Sequence, residues 1–467
     1  MKQSRFFSAI MLFSMAFLPC LQADSSSSHS HSFKRVKSGS VPVYLITQKD
    51  IPAVIKHSGE YILASSICYS GCNTAITVEA DNVKLNLRNC TIHLENPNAT
   101  GIAIHDSCEV IVEGDAIINT CHRPQCGTGI HVCKSRDVTL DHVLTKHHHN
   151  GLLISESCNV SVLRSEFSHP THANATVQCS VNVSFDDCVF DGSKHYGVVF
   201  SGQNRDCRII NSDFPNAHFT NLLVQEIHGM IVDKCMFTNI CGDCEKPALV
   251  QFGDKECKQS VRDVLFTNCT IINKPPCDGN HHPEGLYLMH ATGVLVDSCI
   301  VDIDNEGTCQ EHNRSAIHVG SGCEEHFGDS ITIRNTICEG HAMNGIHLDV
   351  HSRNIVVDNC LTSNALKNGI LLQGTHASVI KNSTITSNGT NGIYIGKESK
   401  DNALLYNVAS HNGHCIICDS CPPHGAGVAM SKCSSANLIQ DNQIFSNEGM
   451  NIQDHGKHNV FVNNTSF

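Results

Sequence analysis

The sequence contains no tryptophan, and only 5% of its residues are aromatic and 16% are charged. Positive charge is scarce as well: 32 lysines and arginines face 45 aspartates and glutamates, and the formal net charge at pH 7 is −13. This shortage argues against nucleic acid as a partner. Hydrophobic residues make up 40% of the chain, which is too many for a disordered protein of such low charge.

Long hydrophobic runs are also scarce, and the one near the N-terminus is typical of a secretory signal peptide. Two basic residues precede the apolar stretch Phe6–Leu18, which is too short to span a bilayer. We therefore predict a signal peptide at residues 1–23 and a flexible linker rich in Ser and His at residues 24–40. No later segment has the pattern of a transmembrane helix, so the expected location is secreted, periplasmic or at the cell surface.

One pattern recurs from about Val41 to the last residue. Each unit has alternating apolar residues that end at Asn or Asp, then a small residue, then a Gly-Ile-x-Ile block or a close variant. Gly345, Gly369 and Gly392 open three successive blocks and are 24 and 23 residues apart. Period-two alternation predicts short strands, with Gly and Asn at the bends. A repeat of about 23 residues without helices predicts a solenoid of parallel strands with about fourteen coils.

The start of the repeat region resembles a known family. Ile46–Pro52, Ser58–Leu63 and Ala75–Leu87 resemble the N-terminal section of bacterial right-handed parallel β-helix proteins of the pectate-lyase-like superfamily, which includes carbohydrate-binding and sugar-hydrolysing modules and NosD-type periplasmic proteins. The resemblance implies an all-β, right-handed, single-stranded parallel β-helix over residues 83–467, with an N-terminal cap and first coil at residues 41–82. It indicates the fold more strongly than the function, because this architecture hosts lyases, hydrolases, epimerases, adhesins and non-enzymes.

Many of the 27 cysteines occupy two registers of the repeat. We interpret both registers as ladders of small buried residues, in which the thiol serves as a compact hydrophobe. The first register follows the Asn or Asp at a strand end: Cys90, Cys188, Cys235, Cys269, Cys299 and Cys360. The second precedes the next strand: Cys108, Cys158, Cys179, Cys207 and Cys433. Thr384 is assigned to the first register in one later coil, so that position favours a small side chain.

The remaining cysteines cluster in enlarged loops, where an exported protein is expected to form disulfides. Two sets are Cys121, Cys126 and Cys133, and Cys241, Cys244 and Cys257. A third set is flanked by histidines and offers the alternative of a zinc or copper site. Its residues are His411, His414, Cys415, Cys418, Cys421 and His424. The spacing of this set matches no standard zinc pattern, and no other cofactor is expected.

The Gly-Ile-x-Ile strands point their isoleucines inward and the intervening residue outward. In this outward column Tyr287, His318 and His347 fall on consecutive coils about 5 Å apart, and Asp349 extends the same face. An exposed stripe of phenol, imidazole and carboxylate groups is suited to holding a sugar polymer and moving its protons. These four side chains are the predicted catalytic residues. The whole column is Ala103, His131, Leu153, Val199, Leu223, Tyr287, His318, His347, Leu371 and Tyr394.

A second candidate is Asp141-His142, followed by His147-His148-His149. The first pair is similar to an Asp-His pair on a strand of pectate lyases, but the calcium carboxylates and catalytic arginine motif of that family are not found. The triple histidine is interpreted as an exposed turn, with metal chelation as the alternative.

Three functional hypotheses remain open at this point. The first is a secreted protein that binds or modifies a polysaccharide or a cell-surface glycan; as an enzyme it would be a lyase, hydrolase or epimerase. The second is a non-catalytic surface or adhesion protein that displays loops on a rigid rod. The third is a metal-handling periplasmic protein. The last strand pattern, Asn459–Asn463, has no cap helix behind it, so a homo-oligomer formed through this end is also expected.

Overall fold

The structure is a computed structural model that describes residues 33–37, 41–120, 127–239, 248–253, 260–274, 284–304, 314–320, 328–414 and 425–466. These residues belong to one unit, Phe33–Phe467. They contain a 3-10 helix at Gln48–Asp50 and fifty strands, numbered β1 to β50 in chain order. In this described part of the chain, no helix combines the length and the hydrophobicity that crossing a membrane requires.

Strands β1 to β17 are Lys34–Lys37, Val43–Ile46, Ala53–Ile55, Gly59–Leu63, Ile67–Tyr69, Thr74–Val78, Val83–Asn86, Thr91–Leu94, Thr100–His105, Cys108–Thr120, Thr128–Cys133, Arg136–Lys146, Asn150–Ser155, Cys158–Leu163, Glu166–Ser168, Ala173–Gln178 and Val181–Asp186. Strands β18 to β34 are Val189–Asp191, Tyr196–Ser201, Asn204–Ile210, Asp213–Pro215, Thr220–Val224, Ile227–Asp233, Met236–Asn239, Ala248–Phe252, Val261–Thr267, Thr270–Asn273, Glu284–Met289, Ala291–Asp297, Ile300–Ile303, Ser315–Gly320, Gly328–Asp329, Thr332–Arg334 and Ile337–Glu339. Strands β35 to β50 are Asn344–Leu348, Ser352–Arg353, Val356–Asp358, Leu361–Ser363, Asn368–Leu372, Val379–Lys381, Thr384–Thr386, Ile393–Ile395, Ala403–Leu405, Val408–Ser410, Val428–Met430, Leu438–Gln440, Gln443–Phe445, Ile452–Asp454, Val460–Val462 and Thr465–Ser466.

The strands form two sheets that wind together as a right-handed parallel β-helix, which confirms the predicted fold. The smaller sheet receives one strand from each coil and has 16 strands, somewhat more than the predicted number of coils. They are β3, β6, β9, β11, β13, β16, β19, β22, β25, β28, β31, β35, β39, β42, β45 and β48. The larger sheet has 34 strands, and apart from β1 its strands pair in parallel with strands of neighbouring coils.

The first strands lie on both sides of residue 40. Strand β1 lies within the segment predicted as a linker and pairs antiparallel with β2. Strand β2 already pairs in parallel with β4, and β3 pairs in parallel with β6. Coil stacking therefore begins within residues 41–82, and the domain boundaries stay predictions.

Alternation along the strands builds a continuous apolar interior. Leu85, Val112, Leu140, Val162 and Phe185 lie in register on successive coils and are fully buried. In the middle coils phenylalanine rings stack from coil to coil: Phe167, Phe190, Phe214, Phe237 and Phe266. Each coil thus buries its apolar residues against only its two neighbours, as solenoids require.

The bends explain why Asn and Asp recur at the strand ends. Asn359 and Asn382 have φ values of 53° and 52°, in the left-handed region that Asn and Asp tolerate best among residues with a side chain. The next residue points inward and connects the coils: the Cys360 N–H donates to Ser383 Oγ at 3.1 Å, and the Ser383 N–H donates to Asn407 Oδ1 at 3.0 Å. Ser383, not Thr384, therefore occupies the first cysteine register, because Thr384 is the first residue of β41 and pairs with Leu361.

The structure confirms that the cysteines of the first register form a ladder of buried thiols. The same interpretation is wrong for most cysteines of the second register, which are not buried. All described cysteines are free thiols, and those of the first register are buried, apart from the half-buried Cys90. In the second register only Cys207 is buried, whereas Cys179 and Cys433 are exposed. Cys133, from one of the loop sets predicted to form disulfides, is free, and the other members of those loop sets lie outside the described residues.

The buried thiols are expected to resist alkylation while the protein is folded. Burial raises the pKa of Cys188 to about 12 and that of Cys360 to about 11, so little reactive thiolate forms at neutral pH. We expect a short pulse of N-ethylmaleimide to label Cys179 and Cys433 in the native protein and to leave Cys188 and Cys360 unlabelled until denaturant is added. Peptide mapping by mass spectrometry reads each site separately, and equal labelling of all four thiols in the native state would contradict the ladder.

Candidate functional site

The sheet register confirms the predicted outward column of the smaller sheet. Tyr287 of β28 pairs with His318 of β31, which pairs with His347 of β35. Thr176 and Gln251 belong to the same column. The sequence did not indicate these two residues because β16 and β25 lack the Gly-Ile signature.

Five side chains on β28, β31 and the end of β35 contact one another on this outer face. We call them the outer-face cluster: Glu284, Tyr287, His318, His347 and Asp349. His318 lies at its centre, with Nδ1 2.7 Å from Glu284 Oε1 and Nε2 3.4 Å from Asp349 Oδ2. The Tyr287 and His347 rings stack on opposite sides of the His318 ring, with centroids 4.5 Å from it in each case. The structure therefore brings the four predicted catalytic residues together.

The cluster is more enclosed than the exposed stripe that the sequence predicts. His318 and His347 are only 8% and 5% exposed, and Glu284 is 7% exposed. Tyr287 and Asp349 are half-buried and provide the accessible side of the cluster. The two long segments that precede β28 and β31 in the sequence, Asn273–Glu284 and Asp302–Arg314, lie mostly outside the described residues.

The pKa values of the two imidazoles are shifted in opposite directions because their neighbours differ. Burial opposes charge on His318, but the charges and hydrogen bonds of Glu284 and Asp349 outweigh that effect and raise its pKa to about 10. Burial and the nearby charge of His318 lower the pKa of His347 to about 3. At neutral pH the cluster thus holds an imidazolium beside a neutral imidazole. Burial opposes charge on Asp349, but its contacts with His318 and His347 outweigh that effect and lower its pKa.

The fold does not require charged side chains at these positions. The same column holds Ala103, Leu153, Val199, Leu223 and Leu371 on other coils. Burying a carboxylate with an imidazolium costs free energy that an apolar pair would not cost. Such a group of ionisable residues in one place is therefore a candidate functional site.

Glu284 is the member whose role the sequence did not reveal. It is the first residue of β28, and its contact with His318 places it on the outer face with Tyr287. Strand parity gives no such signal, because Glu284 lies three residues before Tyr287 and would alternate to the opposite face. It reaches the outer face because Gly285 and Leu286 both turn inward between them. Its contact with His318 depends on a coil-to-coil approach that strand parity does not specify.

The predicted Cys/His metal set lies largely outside the described residues, which exclude Cys415, Cys418, Cys421 and His424. Of the two histidines that are described, His414 places Nδ1 2.8 Å from Glu448 Oε1. The His411 ring lies 6.3 Å from the Phe445 ring. A zinc or copper site at this set stays a prediction.

The residues of the second sequence candidate make separate structural contacts and do not form one site. Asp141 accepts two hydrogen bonds from the Arg164 guanidinium, and His142 Nδ1 lies 2.9 Å from the same carboxylate. The interpretation of the triple histidine as an exposed turn is wrong for His148. That side chain is 1% exposed, and its Nε2 lies 2.9 Å from Ile118 O.

Buried His148 is expected to make stability depend on pH. Burial lowers its pKa to about 4, below the ordinary value of 6.5 that applies when the chain unfolds. Above pH 6.5 both states are neutral; as the pH falls towards 4 the unfolded chain takes up the proton first, so folding is weakened. The expected loss is about 3 kcal/mol over this interval, at ~1.4 kcal/mol per pH unit.

The measurement is chemical unfolding between pH 7 and 4, with the variant His148→Gln lacking this part of the slope. His57→Gln, at an exposed histidine, is the matched control. Equal slopes for the native chain and His148→Gln would contradict the assignment.

Comparison with known proteins agrees with the fold. The chain belongs to the right-handed β-helix family, since the model of the right handed beta helix region matches residues 52–214 and 306–466. A search of curated protein sequences finds no significant match.

Similar solved structures share little sequence with this chain. The periplasmic alginate epimerase AlgG is 10% identical, with a TM-score of 0.28, and the match covers 91% of this chain and 85% of that one. The receptor binding domain of the Siphovirus 9NA tailspike is 10% identical, with a TM-score of 0.38 and coverage of 90% and 76%. The catalytic domain of a GH87 alpha-1,3-glucanase, solved with tetrasaccharides, is 12% identical, with a TM-score of 0.37 and coverage of 88% and 64%.

Proposed function

We propose that the chain binds a polysaccharide along the outer face of the smaller sheet and modifies it at the outer-face cluster. The observation that carries the proposal is the contact of His318 with both Glu284 and Asp349 at outward positions where the fold accepts apolar residues. Outward side chains of successive coils are about 4.8 Å apart, so a polymer laid along the column meets one side chain after another.

The cluster contains the groups that sugar chemistry uses. The Asp349 carboxylate accepts protons, whereas the Tyr287 phenol and the His318 imidazolium donate them. Hydrolysis, elimination and epimerisation of sugars each require one donor and one acceptor placed on either side of the reacting bond. Tyr287 and Asp349 are the members that a sugar would reach first.

A row of half-buried rings along the same sheet supports polymer binding. The His149 and His172 rings are 5.0 Å apart, the His172 and Tyr196 rings 5.6 Å, and the Tyr196 and Phe219 rings 5.5 Å. These residues lie at or just before the first residues of β13, β16, β19 and β22. In a chain without tryptophan, they are the surface on which sugar rings can stack.

The test is incubation of the purified full chain with a panel of neutral and uronic-acid polymers. Binding is measured by affinity electrophoresis, hydrolysis by new reducing ends, elimination by the absorbance of unsaturated products, and epimerisation by proton NMR. We expect one polymer class to bind and to be changed. Binding without any change would favour the adhesion hypothesis instead, and the absence of binding across the panel would overturn the glycan proposal.

A further inference from the structure

Proton transfer alone does not explain why the ring of His347 is buried without hydrogen bonds. It is 5% exposed, and within the described part of the chain neither of its ring nitrogens makes a hydrogen bond. Buried polar atoms are nearly always paired, and an unpaired one calls for an explanation such as a missing ion. Here two unpaired nitrogens lie beside a carboxylate.

The donor atoms around His347 are close to the spacing that a metal ion requires. His318 Nε2 is 3.4 Å from Asp349 Oδ2, and His347 Nε2 is 3.8 Å from Asp349 Oδ1. One donor atom from each of the three residues lies within 4.8 Å of the other two. In a tetrahedral site with bonds of about 2.0–2.1 Å, neighbouring ligand atoms are about 3.4 Å apart.

Glu284 accepts the hydrogen bond that a metal-binding histidine normally donates from the ring nitrogen that does not bind the metal. Its Oε1 accepts from His318 Nδ1 at 2.7 Å, which fixes the ring and directs Nε2 towards Asp349. Histidine ligands almost always donate their second ring N–H to such a partner. The carboxylates of Glu284 and Asp349 together also match the charge of a divalent cation.

We propose that His318, His347 and Asp349 bind a divalent transition metal of the zinc class, with Glu284 orienting His318 from outside. The metal replaces the proton on His318 Nε2, which is released to solvent. Two imidazoles and one carboxylate are a donor set that suits zinc and its neighbours better than calcium. Three protein ligands leave a position open for water or a sugar hydroxyl, as in catalytic rather than structural zinc sites.

One rearrangement accompanies binding. The His318 and His347 rings lie within 13° of parallel, so their lone pairs do not meet at one point in this arrangement. Glu284 holds His318, whereas His347 has no described hydrogen bond to break. His347 is therefore the ring that turns about its Cβ–Cγ bond to complete the site.

The test uses Co²⁺ as a spectroscopic probe on the full chain and needs no glycan, so its result is independent of the proposed function. We expect one equivalent to give visible d–d bands without the near-ultraviolet charge-transfer band of thiolate ligands. His347→Gln should abolish these bands, and Glu284→Gln should weaken Co²⁺ binding about 10–100-fold. His131→Gln changes a histidine of the same outward column that has no such carboxylates and should leave the bands intact.

Circular dichroism and the thermal midpoint confirm that each variant is folded, and Asp349→Asn repeats the ligand test at a half-buried position. Thiolate bands that survive in His347→Gln would place the metal at cysteines and overturn the proposal. The absence of Co²⁺ binding in the native chain would overturn it as well.

Discussion

Replacement of Phe214 by alanine is expected to destabilise the protein by about 3–5 kcal/mol, the range for removing a buried aromatic ring. Phe214 is fully buried, and its ring stacks between those of Phe190 and Phe237 at 4.8 and 4.6 Å. A coil contacts only its neighbours, so the loss should concentrate in β18, β21 and β24 rather than spread along the solenoid. Denaturant unfolding gives the free energy, and hydrogen exchange locates the loss.

The matched control is Tyr406→Ala, because that side chain is 57% exposed. It should change the free energy of unfolding by no more than ~0.5 kcal/mol. Similar losses in the two variants would show that the stacked rings do not form the core of these coils. Phe214→Leu keeps most of the apolar volume and should lie between the two.

Asp349→Asn is expected to lower the turnover of the glycan identified by the polymer panel by about 10²–10⁴-fold, the usual range for loss of a proton-transferring group. The amide neither accepts a proton nor balances the charge of His318, whose Nε2 lies 3.4 Å from Asp349. The measurement is the initial rate at saturating polymer, with binding followed separately.

Asp358→Asn is the control for this substitution. Asp358 is similarly exposed, but it belongs to β37 of the larger sheet and pairs with Lys381 at 3.2 Å. Its variant should keep the native rate. If both variants lost activity equally, the effect would reflect general destabilisation and not the outer-face cluster.

The fold was predictable because each coil repeats the same sequence features. The alternation of apolar residues, the bend asparagines and the Gly-Ile blocks each indicate the same parallel coil. Left-handed bend residues such as Asn359 and the inward step at Cys360 follow from local backbone geometry, so the first cysteine register was predictable. The second register was not, because its cysteines do not share one position in the coil: Cys158 pairs with Val181, two residues after the exposed Cys179.

The candidate site was predictable only in part. Strand parity placed Tyr287, His318 and His347 in one outward column, and the 4.5 Å stacking distances agree with the predicted spacing of about 5 Å. The contact between Glu284 and His318 joins residues 34 positions apart across an enlarged loop. Neither that contact nor the burial of the cluster can be read from a single strand, because both depend on side-chain directions in neighbouring coils.

Hydrogen exchange with and without the bound glycan tests the central claim most directly, namely that the outer face of the smaller sheet is the ligand-binding surface. We predict that saturating glycan protects amides in Glu284–Met289, Ser315–Gly320 and Asn344–Leu348, and that Asp349→Asn reduces this protection. Protection confined to strands of the larger sheet, with these three strands unchanged, would contradict the account.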